Sequence, residues 1–202
     1  AQAKLSTKVA ANNLEAYWVP FTANRQFKAK PRLFASAKNM HYTTHDGRKV
    51  LDGTSGLWCV NAGHARPKIV QAIAAQAAEL DFAPSFQMAH PKAFELADKL
   101  VQVAPAGLSK VFYTNSGSEA VETALKAARK WGYTVKGIPE NKAEIIVMGG
   151  NFAGRTITII SFSSEPSYRY GFGPYTPGFV TVPFGNAQAV ENAISAHTCA
   201  VF

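Results

Sequence analysis

Cysteine is scarce: Cys59 and Cys199 are the two thiols in 202 residues. Two cysteines so far apart build neither a disulfide scaffold nor a cysteine-rich zinc site. Each stands in an apolar run, so the expectation is a pair of buried free thiols. With no signal-peptide pattern in the sequence, a reducing cytoplasmic compartment is expected, or the mitochondrial matrix in a eukaryote. No stretch reaches the roughly 18 uncharged apolar residues of a membrane span, so no membrane partner is expected. Acidic residues are also few, 13 against 21 Lys and Arg, which leaves a formal charge of +8. That surplus suits an anionic ligand. The basic residues are nevertheless spread along the chain and never alternate with aromatics, which argues against nucleic acid. No G-x-S-x-G, H-E-x-x-H, P-loop or G-x-G-x-x-G pattern is present. His64 and His90 have no partners at metal-ligand spacing, so no metal is expected and both read as structural or oligomer-contact residues.

Hydrophobic residues make up 47% and charged residues 17%, the balance of a globular chain with one large domain or two small ones. The first thirty or so residues are poorly periodic. His41–Thr44 and Lys49–Leu51 flank Asp46-Gly47 and predict a hairpin. Ser55 to Gly63 is a Gly-bounded apolar stretch. Pro67 opens a helix to about Leu80, with Ile69, Val70, Ile73, Ala74 and Ala77 on one face. Pro91 opens another, with Phe94, Leu96, Ala97, Leu100 and Val101 on its buried side. Lys110–Thr114 predicts a strand and Glu119 to about Trp131 a helix. Ala143–Met148 is a continuous apolar strand of the kind buried on both faces. Gly154–Phe162 suits either a helix or a strand, and Glu165–Gly178 reads as a long loop. A strand at Phe179–Phe184, a helix at Ala187–Ala196 and a strand starting at Ala200 complete the alternation. Such alternation predicts an α/β fold with a covered, mostly parallel sheet.

Two places carry candidate chemistry. The loop Asn115-Ser116-Gly117-Ser118 joins a predicted strand to a helix, and a helix N-terminus with free N–H groups attracts anions. Ser116 and Ser118 add hydroxyl donors, and Gly117 permits close approach. The plainer reading is that a serine is the N-cap, with Glu119 and Glu122 as first-turn carboxylates. The second place is Asn151–Thr156, after the strand at 143–148, where ligands of parallel sheets lie. There Phe152 suits stacking on a planar ring and Arg155 suits clamping a carboxylate; the plainer reading is a hydrophobic anchor and a surface arginine. Tyr17, Trp18, Phe21 and Trp58 are aromatic enough to wall a pocket, or to serve as packing.

Thr114-Asn115-Ser116-Gly117-Ser118-Glu119-Ala120, with Glu122-Thr123-Ala124 and Lys126, resembles the phosphate-loop signature of class III aminotransferases, which are fold-type I pyridoxal-phosphate enzymes. Trp18–Thr22, Asp52–His64 and Phe82–His90 are similar to the ω-amino acid (β-alanine):pyruvate aminotransferases, a likeness that covers residues 15–125. Ala128–Gly137, Gly150–Thr156, Gly171–Pro174 and Pro177–Phe179 resemble ornithine aminotransferase, over residues 125–202. The resemblance implies an α/β fold-type I transferase in part. Residues 1–65 would be an N-terminal segment with the small-domain hairpin, and 66–202 the first part of the large cofactor-binding domain.

By the same resemblance Ser116, Gly117, Ser118, Phe152 and Gly154 bind the cofactor pyridoxal 5'-phosphate. Phe21, Trp58, Phe86 and Arg155 meet the substrate, with Phe86 near a partner subunit, which implies a homodimer or tetramer. Ala153 and Trp58 depart from the tryptophan and tyrosine usual in ornithine aminotransferases. The implied activity is transfer of an amino group from an ω-amino acid, ornithine or another amine to pyruvate or 2-oxoglutarate. No lysine here matches the family's Schiff-base lysine, which is expected beyond Phe202, so no catalytic residue is assigned and the chain alone is expected to be inactive. The alternative is a non-catalytic module or fragment that binds phosphate or pyridoxal phosphate.

Overall fold

The computed structural model describes residues 14–202; residues 1–13, the start of the expected N-terminal segment, lie outside them. The chain divides into two compact units, Ala1–Glu95 and Leu96–Phe202.

In the first unit, helix α1 spans Asn24–Ala29. It is preceded by a loop that the Asn24 side chain ties together, accepting the Val19 N–H and donating to the carbonyls of Val19 and Thr22. A three-stranded antiparallel sheet follows, made of β1 (Phe34–Lys38), β2 (His41–Thr44) and β3 (Lys49–Leu51) in that order. The predicted hairpin is β2–β3, with Gly47 at φ 87° in its turn. Asp46 accepts from the Thr44 hydroxyl and from Arg48 Nε, and these two donors hold its carboxyl at about 2. Strand β1 was not expected, because Phe-Ala-Ser-Ala-Lys has no β-branched residue; it is held by its ladder to β2 and by the Phe34 ring stacked 4.2 Å from Tyr42. Helix α2 is Pro67–Glu79, and α3, Pro91–Val103, spans the division. Both start at the prolines that predict them. The face of α3 corrects the expectation of burial, for Phe94, Leu96 and Leu100 remain substantially exposed, and Ile69, Val70 and Ile73 on the apolar face of α2 are exposed too.

The second unit holds helix α4 (Gly117–Thr134), strand β4 (Glu144–Met148), short helices α5 (Ile157–Ile160) and α6 (Pro166–Arg169), strand β5 (Phe179–Val182), helix α7 (Ala187–Ala193) and strand β6 (Thr198–Val201). The sheet order is β5-β4-β6, and both pairs are parallel. Strand β4 is therefore central, as its unbroken apolar run predicts, and Ile145 and Ile146 are completely buried although they face opposite ways. Ile145 and Val147 join Leu125 of α4 and Ile159 and Phe162 around α5 in one core.

Three local expectations change. Lys110–Thr114 is not a strand: it joins no ladder among the described residues, and Phe112 and Tyr113 are exposed. The 157–160 segment resolves to helix because Thr156 caps it, its hydroxyl accepting the Ile159 N–H at 3.3 Å. The loop at 165–178 contains α6, started by the Glu165 carboxylate accepting the Ser167 N–H ahead of Pro166.

Gly132 is buried in α4 where a Cβ would lie 2.8 Å from Cys199 Cβ and 3.1 Å from Ile138 Cδ1. Alanine gains about 1 kcal/mol of helix propensity there, but overpacking costs about 1–3 kcal/mol. Gly132→Ala should therefore lower the denaturant midpoint; a raised midpoint would mean that β6 moves aside freely.

Candidate functional site

Helix α4 starts where it does because the residues before it form a cap. Ser116 is extended, at φ −154° and ψ 161°, and its hydroxyl accepts the Glu119 N–H at 3.1 Å. The Glu119 carboxylate reaches back to accept the Asn115 N–H at 2.7 Å, a reciprocal arrangement close to a capping box. The capping reading of this loop therefore holds for Ser116 and Glu119. It does not exhaust the loop. Among the described residues no acceptor takes the N–H of Gly117 or Ser118, at the positive end of an 18-residue helix.

The second candidate loop is brought onto this helix start. The Ser118 hydroxyl accepts the Arg155 N–H at 3.1 Å. Gly154 sits at φ +143°, and a Cβ there would lie 2.6 Å from both Ser118 Oγ and Ile159 Cδ1. Only glycine allows this approach. One turn further along α4, Glu122 accepts the Thr156 hydroxyl at 2.5 Å. Thr156 thus caps α5 and bonds α4 with one oxygen. At the other end of the loop, the Asn151 amide donates to the carbonyls of Met148 and Phe162, which fixes the exit from β4.

The result is a cradle at the carboxyl end of the central strand, where parallel sheets bind ligands. Both serine hydroxyls accept from backbone N–H groups, so each keeps its own proton to donate. Two N–H groups, two hydroxyls and the helix dipole fit a phosphate. Phe152 is 57% exposed, with its edge toward Tyr168 at 6.1 Å and the Arg155 guanidinium 6.0 Å from its ring centre. The structure thus brings Ser116, Gly117, Ser118, Phe152, Gly154 and Arg155 together. Phe21, Trp58 and Phe86 belong to the first unit, and each presents its ring to solvent.

Glu122 and Thr156 were missed as a linking pair. Their spacing of 34 residues leaves no local pattern, and Glu122 read as a first-turn carboxylate. In the first unit the hidden centre is Asp52, buried and accepting from Thr54, Gly56 and His64. Burial opposes its ionisation, but these donors outweigh burial and hold its carboxyl below the ordinary range. Burial and the neighbouring Asp52 charge push the Tyr42 hydroxyl up. His64 meets Asp52, and the His90 ring bonds the Leu80 carbonyl and the Lys92 N–H. Cys59 corrects the expected burial: its left-handed surroundings turn it outward, and its thiol donates to the Leu57 carbonyl. Cys199 is half-buried, and burial pushes its thiol up. Among the described residues no cluster of His, Cys, Asp and Glu can hold a metal, and no helix is long and apolar enough to cross a membrane.

The family model described as aminotransferase class-III matches residues 22–201. The chain is 46% identical over 190 residues to an omega-aminotransferase of Caulobacter vibrioides, covering 94% of this chain and 42% of that protein. It is 44% identical over 170 residues to an ornithine aminotransferase of Brevibacillus brevis, covering 84% of this chain and 42% of that protein. Its fold superposes on a thermostable (S)-enantioselective omega-transaminase from Thermomicrobium roseum with a TM-score of 0.82 at 29% identity, over 92% of this chain and 46% of that one. The chain spans less than half the length of the relatives it matches.

Two outcomes are expected from the site's bonds. Thr156→Val keeps the shape but removes the donor to Glu122 and the cap of α5, and should destabilise the chain by about 1–2 kcal/mol in chemical denaturation. Glu122→Gln keeps an acceptor and should cost clearly less; equal losses would show that the Thr156–Glu122 bond is not what matters. For Asp52, a depressed carboxyl stabilises the fold fully above the unfolded value, about pH 4, and that contribution is lost as pH falls through the folded value. Asp52→Asn should be less stable at neutral pH and should flatten the acid limb of a near-UV circular dichroism titration.

Proposed function

Because this chain belongs to the class-III aminotransferases, we propose that it supplies the phosphate-holding and substrate-placing part of an enzyme that moves an amino group from an ω-amino acid, ornithine or another amine to a keto acid such as pyruvate or 2-oxoglutarate. The class works with pyridoxal 5'-phosphate. The observation that carries the reading is the junction of the two loops, where Ser118 accepts the Arg155 N–H and Gly154 has no room for a side chain.

In this reading the N–H groups of Gly117 and Ser118 and the hydroxyls of Ser116 and Ser118 hold the cofactor phosphate, supported by the positive end of α4. Gly154 lets the backbone close on it. Phe152 offers a flat apolar wall for the ring. Bound pyridoxal phosphate supplies an electron sink that makes the amine-bearing carbon acidic. Arg155 holds a substrate carboxylate, and a planar guanidinium does so with two parallel hydrogen bonds. Phe21, Trp58 and Phe86 offer aromatic surface to the apolar part of the donor, with Phe86 next to a second subunit of a homodimer or tetramer. Residues 1–65 then belong to the small domain and 66–202 open the large one, in a cytoplasmic enzyme.

The proton-moving and cofactor-bearing lysine is assigned outside this chain. Lys126 and Lys130 lie along α4, away from its start, and Lys136 donates to the Thr198 carbonyl at 2.6 Å. That observation favours a second reading for the chain by itself: a module that holds pyridoxal phosphate or another phosphate without turnover.

One experiment separates the two. The purified chain is titrated with pyridoxal phosphate, reduced with borohydride and mapped by peptide mass. Non-covalent retention that weakens about tenfold in Ser118→Ala, the loss of one charge-assisted hydrogen bond, supports the phosphate cradle. Reduction onto one lysine within the chain, with turnover of an amine and pyruvate, would establish a complete site and remove the second reading. No retention at all, or retention unchanged in Ser118→Ala and Gly154→Ala, would overturn the cradle.

A further inference from the structure

The segment after β3 winds the wrong way. Ser55, Gly56, Leu57 and Trp58 have φ of 52°, 59°, 61° and 70°, four consecutive left-handed residues of which three carry side chains. L-residues avoid that conformation and persist in it only where the surroundings hold them. Part of the hold is local: the N–H groups of Trp58, Cys59 and Val60 bond the carbonyls of Thr54 and Ser55 at 2.9–3.0 Å. The rest comes from one carboxylate. Asp52 Oδ1 accepts the Thr54 N–H at 3.1 Å and its hydroxyl at 3.3 Å; Oδ2 accepts the Gly56 N–H at 2.7 Å and meets His64 Nε2 at 2.7 Å.

The carboxylate side chain is 3% exposed and the imidazole 11%. His64 is in turn fixed from two directions. Its backbone exchanges hydrogen bonds with Asn39, at 2.7 and 2.9 Å, and its ring lies 4.5 Å from that of Tyr42 on β2. The antiparallel sheet therefore sets His64, His64 sets Asp52, and Asp52 sets the left-handed turn. What the turn presents is an indole that is 76% exposed. A ring held outward by this much buried machinery is not there to fill a core.

We propose that the Asp52–His64 pair is a positioning device for Trp58, fixing the indole through the left-handed turn so that it meets the apolar part of the amine donor. Asp52 and His64 touch no substrate. They act through the turn, and the inference rests on the reading of Trp58 as a wall of the donor pocket.

The test has two arms. In the chain carrying Trp18→Phe and Trp131→Phe, Trp58 is the sole tryptophan and is excited selectively at the red edge, beyond tyrosine absorption. His64→Leu should cost Trp58 much of its anisotropy and open it to acrylamide, with the far-UV spectrum unchanged. His64→Gln, whose Nε2 can donate to Asp52, should restore both signals. Asp52→Asn provides the same reading if His64→Leu does not fold. Trp58 signals that stay at the parent value in these variants would overturn the proposal.

The second arm is kinetic and uses the assembled enzyme. His64→Leu should raise KM for the amine donor about tenfold while kcat stays within about twofold, the pattern of lost placement rather than lost chemistry. Trp58→Ala should do the same, and the double variant should be no worse than either single one. Additive losses would overturn the coupling of the pair to Trp58. Absence of transamination in the parent enzyme would instead overturn the donor-pocket reading, and the fluorescence arm would still decide whether the pair positions the indole.

Discussion

The Ser118 hydroxyl accepts the Arg155 N–H at 3.1 Å, and everything at the carboxyl end of β4 is arranged around that contact. It joins two segments 37 residues apart through the first turn of a helix. For the backbone of residue 155 to come so close, residue 154 must lack a side chain and adopt φ +143°. The helix must also start at Gly117 and no later, which the Ser116 cap and the Glu119 carboxylate ensure. The loop must leave β4 at a fixed angle, which Asn151 sets by bonding the Met148 and Phe162 carbonyls. Each of these conditions is a backbone condition. The polar hydrogens left over, two N–H groups and two hydroxyls, are therefore placed by the fold and not by flexible side chains. An anion bound there meets donors that are already oriented, so little ordering entropy opposes binding.

The first unit solves a different problem with the same economy. There a buried carboxylate stabilises a left-handed turn. The carboxylate gives up solvation, and four donors compensate for it. A hydrophobic replacement could fill the volume but could not hold the Thr54 and Gly56 N–H groups, which would be left without partners. This is why a charge is kept at a buried position, and why a histidine stands opposite it.

Much of the fold was legible because the signals were local. Pro67 and Pro91 start helices, Asp46-Gly47 turns a hairpin, and the unbroken run at 143–148 is the central strand. The start of α4 was also legible, since a serine followed three residues later by Glu119 is a compact capping pattern. The missed features share a cause. Glu122 finds Thr156 across 34 residues, and β1 depends on β2 for its existence. Neither partner carries a mark of the other in its own neighbourhood. Cys59 was misplaced for a related reason: the apolar run around it signals burial only if the backbone is regular, and here it is left-handed.

The exposed apolar faces have a more general explanation. Ile69, Val70 and Ile73 on α2, and Phe94 and Leu100 on α3, keep helical periodicity yet are exposed, and Phe112 and Tyr113 keep strand composition yet join no ladder among the described residues. Periodicity records which side of an element is meant to leave water. It is silent on whether the covering surface lies in the same unit. Strand β4 illustrates the contrast, for it has a neighbour on each edge and its residues are buried on both faces. The difference between the two cases lies not in the strength of the pattern but in the supply of partners. A hydrophobic pattern in sequence is thus a demand for contact, and burial in the structure is the same demand once it has been met.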